Sequence, residues 1–396
     1  MANTREVVIV NGVRTAIGDY GGSLKDLPPT ELGARVVREA LKRANVDPAQ
    51  VGQCVFGNVI HTEARDMYLS RVAAVNGGLP HESGALTVNR LCGSGLQAIV
   101  SASQYIMLGD TDAAIGGGAE SMSRAAYANL TQRWGARMGD TKIIDMMVGA
   151  LTDPFDTVHM GVTAENVANR CGITREQQDA FAVESHRRAT VAATEGRFKS
   201  QILPVELKSK KGVMQFDTDE HVRSDATSEG MAKLRAVFAK ENGTVTAGNA
   251  SGINDAAAAV VLMEAAAAQR ANVKPMARLV SYGHAGIDPK IMGLGPVSAV
   301  KAALKKAGLR ISDIDVIESN EAFAAQALGV NRELDLDPAK VNPNGGAVAL
   351  GHPIGATGCI LTVKAMYELA RTNKRYGLVT MCIGGGQGIA AIIERI

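Results

Sequence analysis

A chain of 396 residues is long enough for two or more domains around a large core. Its composition, 46% hydrophobic, 21% charged and only 4% aromatic, is that of a globular protein rich in alanine and glycine, suited to helices packed tightly on sheets. A formal net charge of +2 gives no global electrostatic case for nucleic acid or a membrane surface, and the longest apolar run, near 256–263, is too short to span a bilayer.

Met1 to Glu6 run straight into a β-type stretch, Val7 to Val10, without the pattern of a signal or transit peptide, so a cytoplasmic protein is expected. The five cysteines (54, 92, 171, 359 and 382) are odd in number and lack CxxC spacing. Free thiols in a reducing compartment fit this better than a disulfide frame or a zinc site. A strand-like run over 85–88 leads to Asn89-Arg90-Leu91-Cys92-Gly93-Ser94-Gly95-Leu96, and an apolar helical pattern follows (Leu96, Ala98, Ile99, Ala102, Ile106). Cys92 is thereby placed at a helix N-terminus, where unpaired N–H groups and the helix dipole favour a thiolate and are expected to lower its pKa. Gly93 and Gly95 leave room for a substrate to approach the backbone.

The texture changes over 121–250. Residues 122–140 read as irregular and hold the single tryptophan, Trp134. Helices are expected over 161–171 and 174–194, then a charged, turn-rich region whose run Lys208-Ser209-Lys210-Lys211 reads as a solvated hairpin face. The strand-like 256–262 returns to the first half. After it the chain repeats itself. Ala40-Leu41-Lys42-Arg43-Ala44 with Cys54-Val55-Phe56 and Asn58 is echoed by Ala303-Leu304-Lys305-Lys306-Ala307 with Val316-Ile317 and Asn320. Cys92-Gly93-Ser94-Gly95, a helix and a strand ending in glycines correspond to Gly355-Ala356-Thr357-Gly358, a helix and Met381-Cys382-Ile383-Gly384-Gly385-Gly386. The organisation predicted is a half over 1–120 completed by about 251–274, an inserted loop domain over 121–250, and a second half over 275–396. Alternating helices and strands make each half α/β. Pseudo-two-fold packing of the halves predicts that Cys92, Gly355 and Cys382 meet.

The remaining chemistry-bearing residues sit at strand ends. His352, in Gly351-His352-Pro353-Ile354-Gly355, suits a base that takes a proton from a thiol, with an ordinary pKa near ~6.5. Cys382 is a second acid/base candidate, and Gly384 opens a glycine run whose N–H groups can face an oxyanion. Asn320, in Ser319-Asn320-Glu321-Ala322-Phe323, either holds a water or a carbonyl, or caps a helix beginning at Glu321.

Taken together, Cys92-Gly93-Ser94-Gly95, Asn320-Glu321-Ala322-Phe323, Gly351-His352-Pro353 and Cys382-x-Gly384 resemble the motifs of the thiolases, and within them the bacterial acetyl-CoA acetyltransferases and β-ketothiolases. The likeness runs from Val10-Asn11-Gly12-Val13-Arg14-Thr15 to Gly386. It implies a five-layered αβαβα fold and a homo-oligomer, with a tetramer favoured. It also implies coenzyme A thioesters as substrates, with no metal and no prosthetic group. Carried over by motif, Cys92 is the acylated nucleophile, His352 activates it, and Cys382 exchanges the α-proton of acetyl-CoA. Asn320 and His352 form one oxyanion hole, and the N–H groups of Cys92 and Gly384 the other. His159, Met160 and Ser251 line a pantetheine tunnel with apolar walls at Leu151, Phe238 and Met292, and Arg223 lies near the nucleotide. Gly230 stands where several relatives carry a serine.

The activity so implied is reversible Claisen condensation of acetyl-CoA with a short acyl-CoA, serving short-chain ketoacyl-CoA or polyhydroxyalkanoate precursor synthesis. The alternative is a degradative 3-ketoacyl-CoA thiolase of fatty-acid oxidation. A ketoacyl synthase is disfavoured by Cys382, since those enzymes generally lack a second cysteine in such a setting.

Overall fold

The computed structural model describes residues 5–209 and 212–396; the expectations for the chain start and for Lys210 and Lys211 lie outside the described residues. In chain order the main elements of the first half are β1 (Val7–Thr15), α1 (Pro29–Ala44), β2 (Gln53–Gly57), α2 (Leu69–Gly77), β3 (Gly84–Val88), α3 (Ser94–Leu108) and β4 (Ala113–Ser121). The insert contributes α4 (Met160–Cys171), α5 (Arg175–Thr194) and a hairpin of Val205–Ser209 with Gly212–Phe216. Strand β5 (Asn254–Glu264) completes the first half, and β6 (Ala277–Gly286), α6 (Gly295–Ala307), β7 (Val316–Ser319), α7 (Ala324–Glu333), α8 (Thr357–Thr372), β8 (Tyr376–Ile383) and β9 (Gln387–Arg395) form the second.

These strands lie in the order β7-β8-β9-β6-β1-β5-β4-β2-β3. The duplication is visible in the pairing. In the first half β1 and β5 are antiparallel, as are β5 and β4, whereas β2 runs parallel to β4; β6, β9, β8 and β7 repeat the same senses. Both halves even carry the same irregularity, a register shift between Ile9 and Asn11 on β1 and between Leu279 and Ser281 on β6. The halves join through β1 and β6, which share only the pairs Val8↔Arg278 and Ile9↔Ala277.

Helices α3 and α8 pack on each other between the two half-sheets, α1 covers the opposite face of the first and α6 that of the second. Five layers, αβαβα, follow. Small residues make the middle layer possible. A Cβ on Gly116 would lie 2.8 Å from Ile99 Cα, and one on Gly118 would lie 2.2 Å from the Gly355 carbonyl oxygen. The two helices meet reciprocally: a Cβ on Gly95 would come within 2.8 Å of Cys359 N, and one on Gly358 within 2.2 Å of Leu96 N. Equivalent residues in contact with each other's successors are the mark of a pseudo-two-fold axis.

The insert leaves β4 at Ser121 and returns through β5, where Ser121 pairs with Asp255. In the second half the same two strands are joined by the tight turn Gly384-Gly385-Gly386, with φ of +81° and +85° at the last two glycines. The insert therefore occupies the end of the fold where Cys92, His352 and Cys382 lie. Helices α4 and α5 run close to expectation, and Thr174 caps α5 in a capping box with Gln177. Trp134 is 88% exposed. Among the described residues, no helix is long and apolar enough to cross a membrane.

Candidate active site

A cavity of about 430 Å³ opens between the insert and the strand ends; it is lined by Cys92, His352 and Gly384 and by Leu151, His159, Met160, Phe238, Ser251 and Met292. A larger surface cleft of about 880 Å³, bordered by Arg35, Arg38 and Glu206, holds none of the chemistry-bearing residues.

Cys92 is presented by a strained turn. Leu91, just before it, has φ of +44°, and the turn is held by side chains: Leu91 N donates to Asn89 Oδ1, Arg90 N to Ser94 Oγ, and Ser94 Oγ to the Leu91 carbonyl. The helix starts two residues later, as anticipated. The expected low pKa is not found. Removal from water pushes the thiol up to about 11; the N–H groups of Gly384 and of Cys92 itself oppose this, and the nearby Glu120 carboxyl adds to it. The helix terminus acts locally, but desolvation by the packed middle layer outweighs it. Cys92 therefore rests as a neutral, half-buried thiol.

His352 lines the same cavity and is held from several sides. It follows Gly351, whose φ of +103° suits glycine, and its N–H donates to Asn254 Oδ1 at 2.9 Å. Its Nδ1 lies 2.7 Å from Thr357 Oγ1, and that hydroxyl donates to the Pro353 carbonyl at 2.9 Å. With its single proton committed, Thr357 accepts from Nδ1–H, which fixes the tautomer and leaves the lone pair on Nε2. Burial pushes the imidazole pKa down to about 4, so it is neutral at pH 7. Asn320 Nδ2 lies 3.4 Å from Nε2, and Asn320 Oδ1 has no partner in the protein. Asn320 caps nothing: its N–H donates to the Thr380 carbonyl, extending the sheet, and α7 begins only at Ala324 with Phe323 as its N-cap.

Cys382, near the end of β8, is fully buried in an apolar cluster with Met160, Met292, Ala322 and Phe323. Burial raises its pKa well above the ordinary thiol value, and the neighbouring Cys92 raises it further. It lies behind the cavity lining and close enough to Cys92 to be felt electrostatically. Gly355 also reaches this centre, its carbonyl seated beside Gly57, Gly95 and Gly118.

On the walls, His159 caps α4 by accepting from Gly161 N at 3.0 Å through Nδ1. Its ring stacks on Phe238 with centroids 4.6 Å apart and planes 13° from parallel. Phe238 meets Phe323 edge-on at 6.3 Å. Gly161 has no alternative here, since a Cβ would lie 2.2 Å from the Phe238 ring. Arg223 does not line the cavity: it pairs with Asp19 at 3.3 Å and its side chain is 60% exposed. Gly230 lies in the short helix Ser228–Ala232, with its N–H on Thr227 Oγ1.

Sequence reasoning missed Tyr20, His221, Glu120 and the role of Thr357. Tyr20 and His221 line the cavity, and His221 Nδ1 meets Asp19 at 2.9 Å across 202 positions. The loop carrying His221 is itself tied down, Arg14 holding Asp219 through both carboxylate oxygens at 2.7 and 2.9 Å. Thr357 was visible only as a member of the repeated turn.

A fold of duplicated α/β halves and a site of two thiols, an imidazole and glycine N–H groups together define an enzyme class that moves acyl groups through cysteine. Comparison with known proteins agrees. Residues 7–266 match the family described as thiolase, N-terminal domain, and residues 273–395 match thiolase, C-terminal domain. The chain belongs to the thiolase family. It is 70% identical over 393 residues to the β-ketothiolase BktB of Cupriavidus necator, covering 99% of this chain and 100% of the relative. With the acetyl-CoA acetyltransferase of Syntrophomonas wolfei the identity is 50% over 398 residues, covering 99% and 100%. Among solved structures, human mitochondrial 3-ketoacyl-CoA thiolase superposes with a TM-score of 0.97 at 45% identity, covering 99% of each chain.

Proposed function

We propose that this protein is an acyltransferase that condenses acetyl-CoA with acetyl-CoA or a short acyl-CoA to a 3-ketoacyl-CoA, and runs the reverse thiolysis. The observation that carries this reading is the convergence on one apolar cavity of the Cys92 thiol, the unprotonated Nε2 of a tautomer-locked His352 and the Gly384 N–H, with the Cys382 thiol just behind. In the first stage Cys92 gives its proton to His352 Nε2 as its sulfur attacks the thioester carbonyl. The tetrahedral oxyanion is stabilised by the N–H groups of Cys92 and Gly384. The departing coenzyme A sulfur takes the Cys382 proton and leaves a thiolate there. That thiolate is strongly basic because it is buried, and in the second stage it removes a proton from the α-carbon of acetyl-CoA. The enolate oxygen is held by His352 with a water bound to Asn320. The carbanion attacks the acyl group, and Cys92 leaves with the proton that His352 has kept. All protons are thereby returned.

His159, Met160, Ser251, Leu151, Phe238 and Met292 hold the pantetheine arm and acyl chain, with Arg223 near the nucleotide. Coenzyme A thioesters serve as substrates, without a metal or prosthetic group. The chain works in the cytoplasm as a homo-oligomer, with a tetramer favoured. Exposed apolar side chains in the insert (Tyr127, Leu130, Trp134, Met138, Ile143) support a role in subunit contacts. The 70% identity to a β-ketothiolase, against 45% to a mitochondrial 3-ketoacyl-CoA thiolase, favours short-chain ketoacyl-CoA or polyhydroxyalkanoate precursor synthesis over fatty-acid degradation. The test is thiolysis: acetoacetyl-CoA mixed with coenzyme A loses its enolate absorbance on adding the protein, and unchanged absorbance refutes the reading.

A further inference from the structure

Several buried acids have no part in the mechanism above, and one of them, Glu120, lies close enough to Cys92 to act on its thiol. Glu120, on β4, is fully buried, and among the described residues no lysine or arginine pairs with it. Four N–H donors face it instead. Oε1 accepts from Asn58 Nδ2 at 3.0 Å and from Ile60 N at 3.1 Å; Oε2 accepts from Val59 N at 3.0 Å and from Gly355 N at 2.8 Å. Three of these donors lie in the first half and the fourth in the second, three residues after His352. The side chains around the contact join the same groups: Ile60 and Ile354 pack together with Cys92 beside them.

Gly355 is gripped on its other side as well. A Cβ on Gly57, Gly95 or Gly118 would lie 2.6, 3.0 or 2.2 Å from the Gly355 carbonyl oxygen, and one on Gly355 itself would lie 2.4 Å from Glu120 Oε2. The segment 352–355 is thus keyed into the first half by one residue. The carbonyl fills a glycine-lined socket and the N–H reaches a buried carboxylate.

We infer that Glu120 is a positioning residue, whose carboxylate fixes the His352 segment against the Cys92 turn and so sets the imidazole in reach of the thiol. The requirement is for a carboxylate in particular: burial pushes the Glu120 pKa up to about 8, but all four partners are N–H donors, which leave a carboxyl proton no acceptor and favour the ionised form. Both oxygens receive two N–H groups each, so an amide in its place turns its own NH₂ toward two donors and loses both bonds. A base displaced by about 1 Å costs on the order of a hundredfold in rate. The inference rests on the proposed pairing of Cys92 with His352, and its test separates the two.

The experiment is a double-mutant cycle on Glu120→Gln and His352→Ala. The readouts are the rate of Cys92 alkylation by iodoacetamide, located by peptide mapping, and acetoacetyl-CoA thiolysis. In the wild-type background Glu120→Gln is expected to lower kcat about a hundredfold, slow alkylation at least tenfold and leave KM within about threefold. In the His352→Ala background the effect of Glu120→Gln on alkylation should shrink to less than about threefold, because the group it positions is gone. An equal loss in both backgrounds makes Glu120 merely structural and overturns the inference, as does a Glu120→Gln enzyme of wild-type rate. If Glu120→Gln does not fold, the cycle is run with Glu120→Asp, which keeps the charge but falls short of Gly355. A His352→Ala enzyme with wild-type alkylation and turnover refutes the Cys92–His352 reading itself.

Discussion

Replacing Thr357 by valine tests the tautomer argument without touching any group that meets substrate. Valine keeps the shape of threonine but removes the oxygen that accepts from His352 Nδ1–H at 2.7 Å. The imidazole is buried, so Nδ1–H is left without a partner. An unsatisfied buried donor costs about 1–3 kcal/mol, and the ring recovers this by moving its proton to Nε2 or by rotating away from Cys92. Either escape removes the base, so the same 1–3 kcal/mol appears as an approximately 5- to 150-fold loss in the rate of Cys92 acylation. Stopped-flow measurement of coenzyme A release in a single turnover reads this step directly. Thr357→Val is expected to lower it with KM nearly unchanged, and Thr357→Ser, which restores the acceptor, should recover most of the rate. A valine enzyme within twofold of wild type would show that Nδ1 is not anchored by Thr357 and that the assignment of the lone pair to Nε2 is wrong.

Three further outcomes are expected. Cys382→Ser should take an acetyl group on Cys92 more slowly, because coenzyme A must then leave as a thiolate without the Cys382 proton, and should lose carbon–carbon bond formation by several further orders of magnitude; unimpaired carbon–carbon bond formation would remove Cys382 from its second-stage role. Thiolysis of acetoacetyl-CoA and 3-ketovaleryl-CoA should proceed with similar kcat/KM, because Met160 and Met292 on the cavity wall can rearrange around a methylene worth about 0.8 kcal/mol; a preference above about a hundredfold for the shorter substrate would contradict this. Burial also holds His186, His284 and His352 near about 4 in the folded state, so the unfolded chain binds more protons between roughly pH 4 and 6.5. Stability present above pH 6.5 is lost as pH falls through that window, with buried His352 alone contributing on the order of 3 kcal/mol. Urea midpoints that stay constant from pH 7 to 4.5 would count against it.

Much of the site was legible because its chemistry sits in short motifs at strand ends, where glycines and turns punctuate the sequence. Cys92, His352, Cys382 and Gly384 each stand within a few residues of such punctuation, and the internal repeat indicated that Cys92, Gly355 and Cys382 would meet. Features that depend on what packs against a residue were not legible. The pKa of Cys92 moves against the direction its helix terminus suggests, because desolvation comes from a helix layer assembled by both halves. Of the two readings open for Asn320, the cap fails because the chain is still paired with Thr380 there and the helix begins only at Ala324. His221 and Asp19 stand 202 positions apart and share no motif. Glu120 sits in an ordinary-looking strand end, and only the arrival of Gly355 from the other half gives its carboxylate a task.

The duplicated halves have not kept equal duties. In the repeat, the position answering to Cys92 in the second copy is Gly355, and the two occupy comparable places at the starts of α3 and α8. A symmetric ancestor would have displayed the same residue at both. Here one copy retains a reactive side chain facing open space, while its counterpart has no side chain at all and is sealed between Glu120 and three glycines. Symmetry that assembled the fold was thus broken at the one pair of positions where chemistry needed it broken. A side chain at Gly355 has nowhere to go, so the second copy cannot regain a nucleophile without prising the halves apart. The molecule is committed to a single reaction centre.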